Sequence, residues 1–441
     1  MNRTAVRDAD GCAWYSLVTL FLVLLLGACG LPAESGRSSS QPSSPAVSAG
    51  PAPAQATPAP PPAAAPAQPP APPIPVLPFE EAVLSAANDL FSRAQVPAGA
   101  SDPFARHALV IDPLIDGVSG VQSKATRSME ARIVELVRTK YPRFSVQPFS
   151  AGNVAKSPIV LVGTFTGINK QGQTTGTREA YRVCLALADL KSGTIVGKGT
   201  ARAQVQGVDI TPTAYFRDSP AWMREATTDG YINTCQGTKI GEPIQPVYLN
   251  GILAAGLIGE AIAAYDAGQY QEALDLYTSA LRTPEGNQLR AHNGVYLANV
   301  KLGRRDAATR AFGNIVDYGL ANQRLAVKFL FKPGSTAFWP DRQVSGAYPD
   351  WLKEIAKRAS ASNACLEITG HTSRTGPEPL NERLSLLRAE YIKQRLDSEA
   401  PQLSKRTIAN GMGSRENLVG TGRDDLTDAL DRRVVFRVIA C

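Results

Sequence analysis

Nearly fifty residues that cannot form a hydrophobic core lie near the start of this chain and limit how the rest can fold. Residues 31–78 are almost all Pro, Ala, Ser, Gly and Gln, and they contain a large share of the 33 prolines. Such a segment has too little apolar surface to offset the entropy lost on ordering. We therefore expect a disordered tether over 29–78. In polyproline II conformation, at roughly 3.1 Å per residue, it would reach at most about 150 Å.

The residues before this tether have the organisation of an export signal. An apolar run of about 15 residues, Cys12–Leu26, is too short to span a bilayer and is typical of a signal-peptide core. It ends in Leu-Gly-Ala-Cys, which resembles the bacterial lipobox and implies that 1–28 is a lipoprotein signal peptide and that Cys29 is acylated, palmitate included. The alternative is an ordinary signal peptide with a chance cysteine. Gly30 after the cysteine implies an outer-membrane address, and we expect no transmembrane helix elsewhere.

Length and charge exclude several classes of protein. A chain of 441 residues indicates two or three folded domains. The net charge of +7 is not concentrated in a basic stripe, which argues against nucleic-acid binding. We find no paired catalytic carboxylates, Cys-His pair or zinc motif, so we expect neither an enzyme nor a cofactor.

The residues 79–250 are expected to form an N-terminal α/β sandwich within an α/β multidomain protein. Helical spacing covers 79–95 and 125–140, and the strand, helix, strand order is typical of such a fold. The stretch SPIVLVGTF and the turn before the second helix resemble the periplasmic domain of curli-secretion and penicillin-binding-protein-activator lipoproteins. The predicted strands are 108–111, 144–146, 159–163, 181–189 and 194–206.

Three polar side chains in this region are candidates for a functional role. His107 is the only histidine of the region, and we interpret it as packing at a strand start. Asp112 and Asp116 indicate a turn rather than a metal site, because no further ligands follow at binding-loop spacing. No metal site is therefore predicted.

Two similar segments, 268–277 and 303–312, align with an offset of 35 residues. Gly, Ala and a large aromatic residue recur at matching places in both. This resembles a pair of tetratricopeptide repeats, whose period is about 34, and implies a short helical repeat pair over 251–320. Two interpretations stay open, a spacer without a ligand and a groove that docks another protein.

The residues 325–441 predict a compact β-α-β-α-β-β domain. Leu380, Leu384, Leu387 and Tyr391 recur at i, i+4, i+7 and i+11 and form one face of the second helix. The predicted elements are strands at 325–332, 365–369, 407–411 and 434–440, and helices at 348–358 and from 380.

A motif within this domain resembles the peptidoglycan-binding domain at the C-terminus of the OmpA family. ITGHTSRTGPEPLNERLSLLRAEYIKQRL matches its Gly-His-Thr-Asp loop and its Asn-x-x-Leu-Ser-x-x-Arg-Ala helix, and DRRV at 431–434 matches a later Asn-Arg-Arg-Val. The resemblance implies that the domain grips the diaminopimelate of a peptidoglycan stem peptide. In the family an Asp receives the ammonium group and an Arg takes the carboxylate in a planar, charge-assisted bond.

The binding residues of the family can be matched to residues of this chain, with one departure. Arg388 is the matching arginine, and Ser373 stands where the family has Asp. A hydroxyl cannot neutralise an ammonium, and a lost hydrogen bond to a charged group costs roughly 1.5–3 kcal/mol, or about 10- to 150-fold in affinity. Glu378 or Glu382 could take the place of the missing Asp. The alternative is that the domain keeps the family fold but has lost its ligand. The predicted peptidoglycan-binding residues are Arg388, Asn381, Ser373, Thr372, Arg432 and Arg433.

Four cysteines remain after those in the signal segment. Cys184 and Cys235 lie in the first predicted domain, and Cys365 and Cys441 in the last. One pair in each domain is expected to form a disulfide in an oxidising periplasm.

The sequence thus predicts an outer-membrane lipoprotein, lipid-anchored and facing the periplasm. We expect it to bind peptidoglycan non-covalently and to tether the outer membrane to the cell wall. The alternative is a periplasmic adaptor or regulator, in which the first domain and the repeats dock a cell-wall synthase or a secretion machine.

Overall fold

The structure is a computed structural model that describes residues 74–96, 106–420 and 428–441. The signal peptide, Cys29 and most of the predicted tether lie outside the described residues. All of the described residues belong to one compact unit.

The first sheet of the described chain is mixed and has the order β1-β7-β6-β5-β2-β4, with β3 beside β5. β5, β6 and β7 form an antiparallel meander, whereas β2 lies parallel to β4 and β5. The predicted strands lie close to the observed ones. The elements are β1 (Val76–Leu77), α1 (Phe79–Ser92), β2 (His107–Ile111), β3 (Ile115–Asp116), α2 (Lys124–Lys140), β4 (Phe144–Gln147), α3 (Ala151–Val154), β5 (Ile159–Ile168), β6 (Ala180–Asp189) and β7 (Thr194–Ala203).

Helices cover both faces of this sheet because its strands alternate apolar side chains to both sides. Leu161 and Phe165 of β5 pack with α1 and α2, while Val160 and Val162 pack on the opposite face. That second face is covered by a further helical region that begins after β7. Its elements are α4 (Ala214–Asp218), β8 (Ala221–Trp222), α5 (Ala226–Gln236) and α6 (Pro246–Asp266).

The predicted start of the folded region at Phe79 was three residues late. Val76 and Leu77 pair in parallel with Arg202 and Ala203 of β7, and Gln204 N donates to Leu77 O at 2.8 Å. The open edge of β7 offers unpaired backbone groups, which even a two-residue strand can satisfy.

The region of the predicted repeats consists of two helical hairpins. α6 packs on α7 (Tyr270–Ala280), and α8 (Leu289–Lys301) packs on α9 (Arg305–Ala321). Gly268 and Gly303 have positive φ, +81° and +72°, at the matching turns of the two hairpins. The assignment to the tetratricopeptide family stays a prediction.

No transmembrane helix is expected outside the signal segment, but among the described residues one helix, α6, is long and apolar enough to cross a membrane. Its 21 residues pass such a test by length and composition alone. Half of the apolar stretch is buried inside the fold, where α6 packs against α5 and α7.

The last region has the predicted β-α-β-α-β-β order and forms a second sheet, β11-β10-β12-β9-β8. The first strand is shorter than predicted and ends at Val327, because the chain then turns so that Phe331 bridges to Phe338. One hydrophobic core runs from the helical hairpins into this sheet, so the predicted boundary near 320 crosses a shared core. The elements are β9 (Arg324–Val327), α10 (Arg342–Ser345), α11 (Tyr348–Ala361), β10 (Cys365–Gly370), α12 (Glu378–Glu399), a 3₁₀ turn (Pro401–Leu403), β11 (Thr407–Gly411) and β12 (Val434–Ile439).

One disulfide joins the two cysteines of each region. Cys184 of β6 is bonded to Cys235 of α5, with 6.2 Å between their Cα atoms. Cys365 is bonded to Cys441, with a Cα separation of 5.3 Å. The second bond ties the start of β10 to the chain end just beyond β12.

Gly199 of β7 is expected to be essential for packing against α1. A Cβ atom at this position would overlap the backbone carbonyl of Ala86. We expect Gly199→Ala to lower the free energy of unfolding by about 1–3 kcal/mol, as overpacking does, in urea denaturation. Gly152→Ala is the control, since its Cβ would meet nothing within 4 Å, and it should stay within about 0.5 kcal/mol of the native protein. Equal stabilities for the two variants would contradict the contact.

Candidate ligand-binding site

The predicted motif residues meet where β10 and β11 end beside α12. Gly370 and Gly411 are paired across these two parallel strands, and a Cβ on either would clash with the α12 backbone. The two glycines therefore let α12 approach closely enough to bring the loop after β10 against its buried face.

The buried face of α12 is polar in its first half and apolar in its second half, which differs from the prediction of a leucine stripe. Leu380 and Leu387 of the leucine stripe are 64% and 41% exposed. The residues that face inward instead are Asn381, Ser385, Arg388, Ala389, Ile392 and Leu396. The helix thus turns the motif side chains, rather than the leucines, toward the sheet.

The motif loop is held by backbone and amide hydrogen bonds. Thr372 N donates to Gly413 O at 2.9 Å, and Asn417 Nδ2 donates to Thr372 O at 2.9 Å. Asn381 Nδ2 donates to Gly376 O at 3.3 Å. Thr372 and Ser373 are only 3% and 4% exposed, so a ligand reaches them only if a neighbouring segment moves.

Arg388 is buried and binds the loop that follows β9. Its Nε donates to Ser335 O and its Nη2 to Lys332 O, both at 3.1 Å, and Cζ lies 4.9 Å from the centre of the Phe331 ring. The guanidinium therefore organises residues 332–335 in this structure. Its contact with a ligand carboxylate stays a prediction.

Arg432 and Arg433 precede β12 and are both buried. Arg433 donates to Leu430 O at 3.3 Å and to Glu416 O at 3.1 Å, and its Cζ lies 6.0 Å from the ring of Trp222. Burial, as the largest effect, lowers the pKa of Arg433 to about 10. Arg433 thus supports the loop around Glu416 from within the protein.

Asp431 is a supporting residue that the sequence motif does not single out. Its carboxylate accepts hydrogen bonds from the backbone N–H groups of Leu418, Val419 and Gly420 at 2.6, 2.9 and 2.7 Å. Three charge-assisted bonds from successive amides fix the loop 418–420 beside the motif. A carboxylate directly before two buried arginines was the only signal in the sequence.

The two glutamates considered as substitutes for the missing Asp have other partners. Glu378 accepts from Ser414 N at 2.9 Å, and Glu382 forms an ion pair with Arg415. Both acids hold the turn that follows β11.

The predicted turn residues of the first region have partners within that region. Asp116 Oδ1 accepts from Val118 N at 3.0 Å and Ser119 N at 2.7 Å, which is a local turn. Asp112 accepts from Tyr248 Oη at 2.6 Å, and burial raises its pKa to about 7. Within the described part of the chain, no group of three or more His, Cys, Asp or Glu side chains could hold a metal ion.

Comparisons with known proteins concern the C-terminal region. A family model described as the OmpA family matches residues 330–427. Outer membrane protein Omp38 of Acinetobacter baumannii, from two strains, is 39% identical over 90 residues. That match covers 20% of this chain and 24% of Omp38, so the chain spans about a quarter of the length of these relatives.

Solved structures also match this region. The peptidoglycan-associated lipoprotein of Burkholderia pseudomallei is 20% identical, covers 27% of this chain and 93% of its own, and has a TM-score of 0.22. The cell wall anchor of the T6SS from Pseudomonas aeruginosa is 22% identical, with 26% and 80% coverage and a TM-score of 0.22.

His371 is expected to make stability depend on pH. Burial, and then Arg433, Arg324 and Arg437, lower its pKa from 6.5 to about 2, so the unfolded chain binds more protons between these values. The free energy of unfolding should therefore fall as pH drops below 6.5, by at most about 1.4 kcal/mol per pH unit from this group. We expect the stability difference between the native protein and His371→Gln to shrink by about 2–3 kcal/mol from pH 7 to pH 4.5 in urea titrations.

The control for this experiment is Thr372→Val. This neighbour is equally buried and does not titrate, so its stability should differ from that of the native protein by the same amount at each pH. A His371→Gln curve parallel to the native curve would show that His371 is protonated in the folded state.

Proposed function

We propose, on the premise that this chain ends in an OmpA-like domain, that it binds peptidoglycan non-covalently and tethers the outer membrane to the cell wall. The observation that carries the proposal is the convergence of Thr372, Ser373, Asn381 and Arg388 where β10 meets α12. These are the positions to which the family motif assigns the stem-peptide grip.

The chemistry of the grip follows from the side chains. Arg388 is the group suited to a ligand carboxylate, because a guanidinium offers two parallel donors in one plane. Ser373 is the group suited to the nitrogen of the diaminopimelate, from which its hydroxyl would accept a hydrogen bond. Arg432 and Arg433 would act behind the site by supporting the loops that frame it.

The anchor half of the proposal rests on the first residues of the sequence. Cys29 would carry the lipid, and the Pro/Ala-rich segment would let the folded unit reach the polymer layer. The relative Omp38 is described as an outer membrane protein, which supports the same compartment for this chain.

A groove in the helical region favours a second candidate function, the docking of another envelope protein. It has a volume of about 610 Å³ and lies between the second helical hairpin and α11. Tyr296, Phe312 and Trp351 line it together with the charged side chains of Arg305 and Arg342. A pull-down from envelope extract distinguishes the two functions, since an adaptor brings down one stoichiometric protein and a simple tether brings down cell wall alone.

The proposed grip predicts that Arg388→Ala weakens binding to isolated sacculi. Loss of charge-assisted hydrogen bonds worth roughly 1.5–3 kcal/mol corresponds to about 10- to 150-fold in affinity. We would measure it by sedimentation of the full-length protein in detergent with sacculi. Arg388→Lys, which keeps the charge but loses the planar fork, should weaken binding as well.

The matched control is Arg383→Ala on the exposed side of the same helix, which should sediment like the native protein. Thermal unfolding would establish that the Arg388 variants remain folded, since Arg388 also holds residues 332–335. A folded native protein that stays in solution with sacculi would refute peptidoglycan binding. Release of soluble muropeptides would instead indicate an enzyme.

A further inference from the structure

A hairpin of the first region reaches the loops that frame the motif. The turn between β5 and β6, residues 169–179, contacts the C-terminal region through two arginines that point in opposite directions. Arg178 of the hairpin donates to the carbonyl of Val419, and Arg374 of the motif loop donates to the carbonyl of Gly176. We call this reciprocal pair of contacts the arginine clasp.

Both arginines of the clasp are positioned by neighbours on their own side. Arg178 Nη1 donates to Tyr181 Oη at 3.0 Å, and its Cζ lies 5.1 Å from the centre of the same ring. Arg374 Nε donates to Asn417 Oδ1 at 3.1 Å. Each guanidinium is therefore held in position by a residue of its own region, which reduces the entropy lost when it binds the backbone of the other region.

The clasp attaches to the motif loop and to the loop that Asp431 fixes. Arg374 directly follows Ser373, and Asn417 binds both Arg374 and the carbonyl of Thr372. Val419 belongs to the loop fixed by Asp431. A hairpin bound at Arg374 and Val419 thus spans the motif loop and the loop opposite it.

The clasp is not needed to hold the two regions together. β8 pairs with β9 inside the C-terminal sheet, and Trp222 Nε1 donates to Ser119 O at 2.8 Å. A cavity of about 40 Å³, lined in part by Phe165, Arg178 and Val419, lies beside the clasp. The hairpin can therefore leave without separation of the regions.

We propose that the arginine clasp is a latch that closes the OmpA-like site and that the hairpin 169–179 must release before a peptidoglycan stem peptide enters. This inference rests on the proposed function. In the closed state Thr372 and Ser373 are buried, so only the released fraction of molecules binds, and the measured affinity is lowered by that fraction. A variant without the clasp binds more tightly because more of its molecules are open.

The first test compares sacculus binding by full-length native protein, Arg178→Ala and Arg374→Ala. Each variant removes one half of the clasp from a different side, and each should lower the dissociation constant by about 3- to 10-fold, as a shift toward the open state does. Lys170→Ala is the matched control, because Lys170 lies in the same hairpin and, among the residues that the structure describes, forms its ion pair with Glu179 of the hairpin, at 3.9 Å. It should bind like the native protein.

The second test follows the hairpin itself by hydrogen–deuterium exchange. Addition of a soluble diaminopimelate-containing muropeptide should increase exchange in 169–179 of the native protein. Affinities of both clasp variants that equal or fall below the native value would overturn the latch, as would a hairpin that gains protection. If native protein and both variants are folded and none sediments with sacculi, the proposed function fails and the latch fails with it.

Discussion

The pairing of β8 with β9 determines how the first region is placed against the C-terminal domain. Ala221 and Trp222 add an edge strand to the second sheet, and this fixes the Trp222 indole between the two regions. On one side the indole donates to Ser119 O, and on the other its ring lies 6.0 Å from the Arg433 guanidinium. Two residues of strand therefore connect the turn that Asp116 stabilises with the arginine that supports the motif loops.

The candidate site illustrates how buried charges are tolerated through backbone partners. Arg388 and Arg433 donate to main-chain carbonyls, and Asp431 accepts from three main-chain amides. A buried charge without such partners costs several kcal/mol, so each bond both satisfies the charge and fixes a loop. Burial, and then the positive charge of nearby Arg433, disfavours the protonated form of His371 and lowers its pKa. In this structure Arg388, Arg433 and Asp431 hold the loops in place, and the contact of Arg388 with a ligand is part of the proposal.

Much of the fold follows from local patterns, whereas the environment of the site does not. The periodicity of 125–140 and the alternation of 181–189 predicted α2 and β6 to within a residue. Strands of two residues such as β1 and β8 are too short to show a hydrophobic period, and their partner strands are distant in sequence. The partners of Arg388 lie more than fifty residues away, and the first half of α12 buries Asn381, Ser385 and Arg388 while Leu380 and Leu387 are exposed, so hydrophobic periodicity predicted the wrong face there.

Strand register relates the entry of the proposed tether to the clasp. Leu77 of β1 pairs with Ala203, and Ala203 pairs with Tyr181, the residue that orients Arg178. The segment that follows the Pro/Ala-rich stretch therefore joins the sheet two strands from the hairpin. At the other end of β10, the Cys365–Cys441 bond lies opposite the motif, six residues of strand away. A load carried between a lipid anchor and a ligand at the motif would thus cross backbone ladders, since the clasp is released in the proposed ligand-bound state, while the disulfide secures the far end of the same strands.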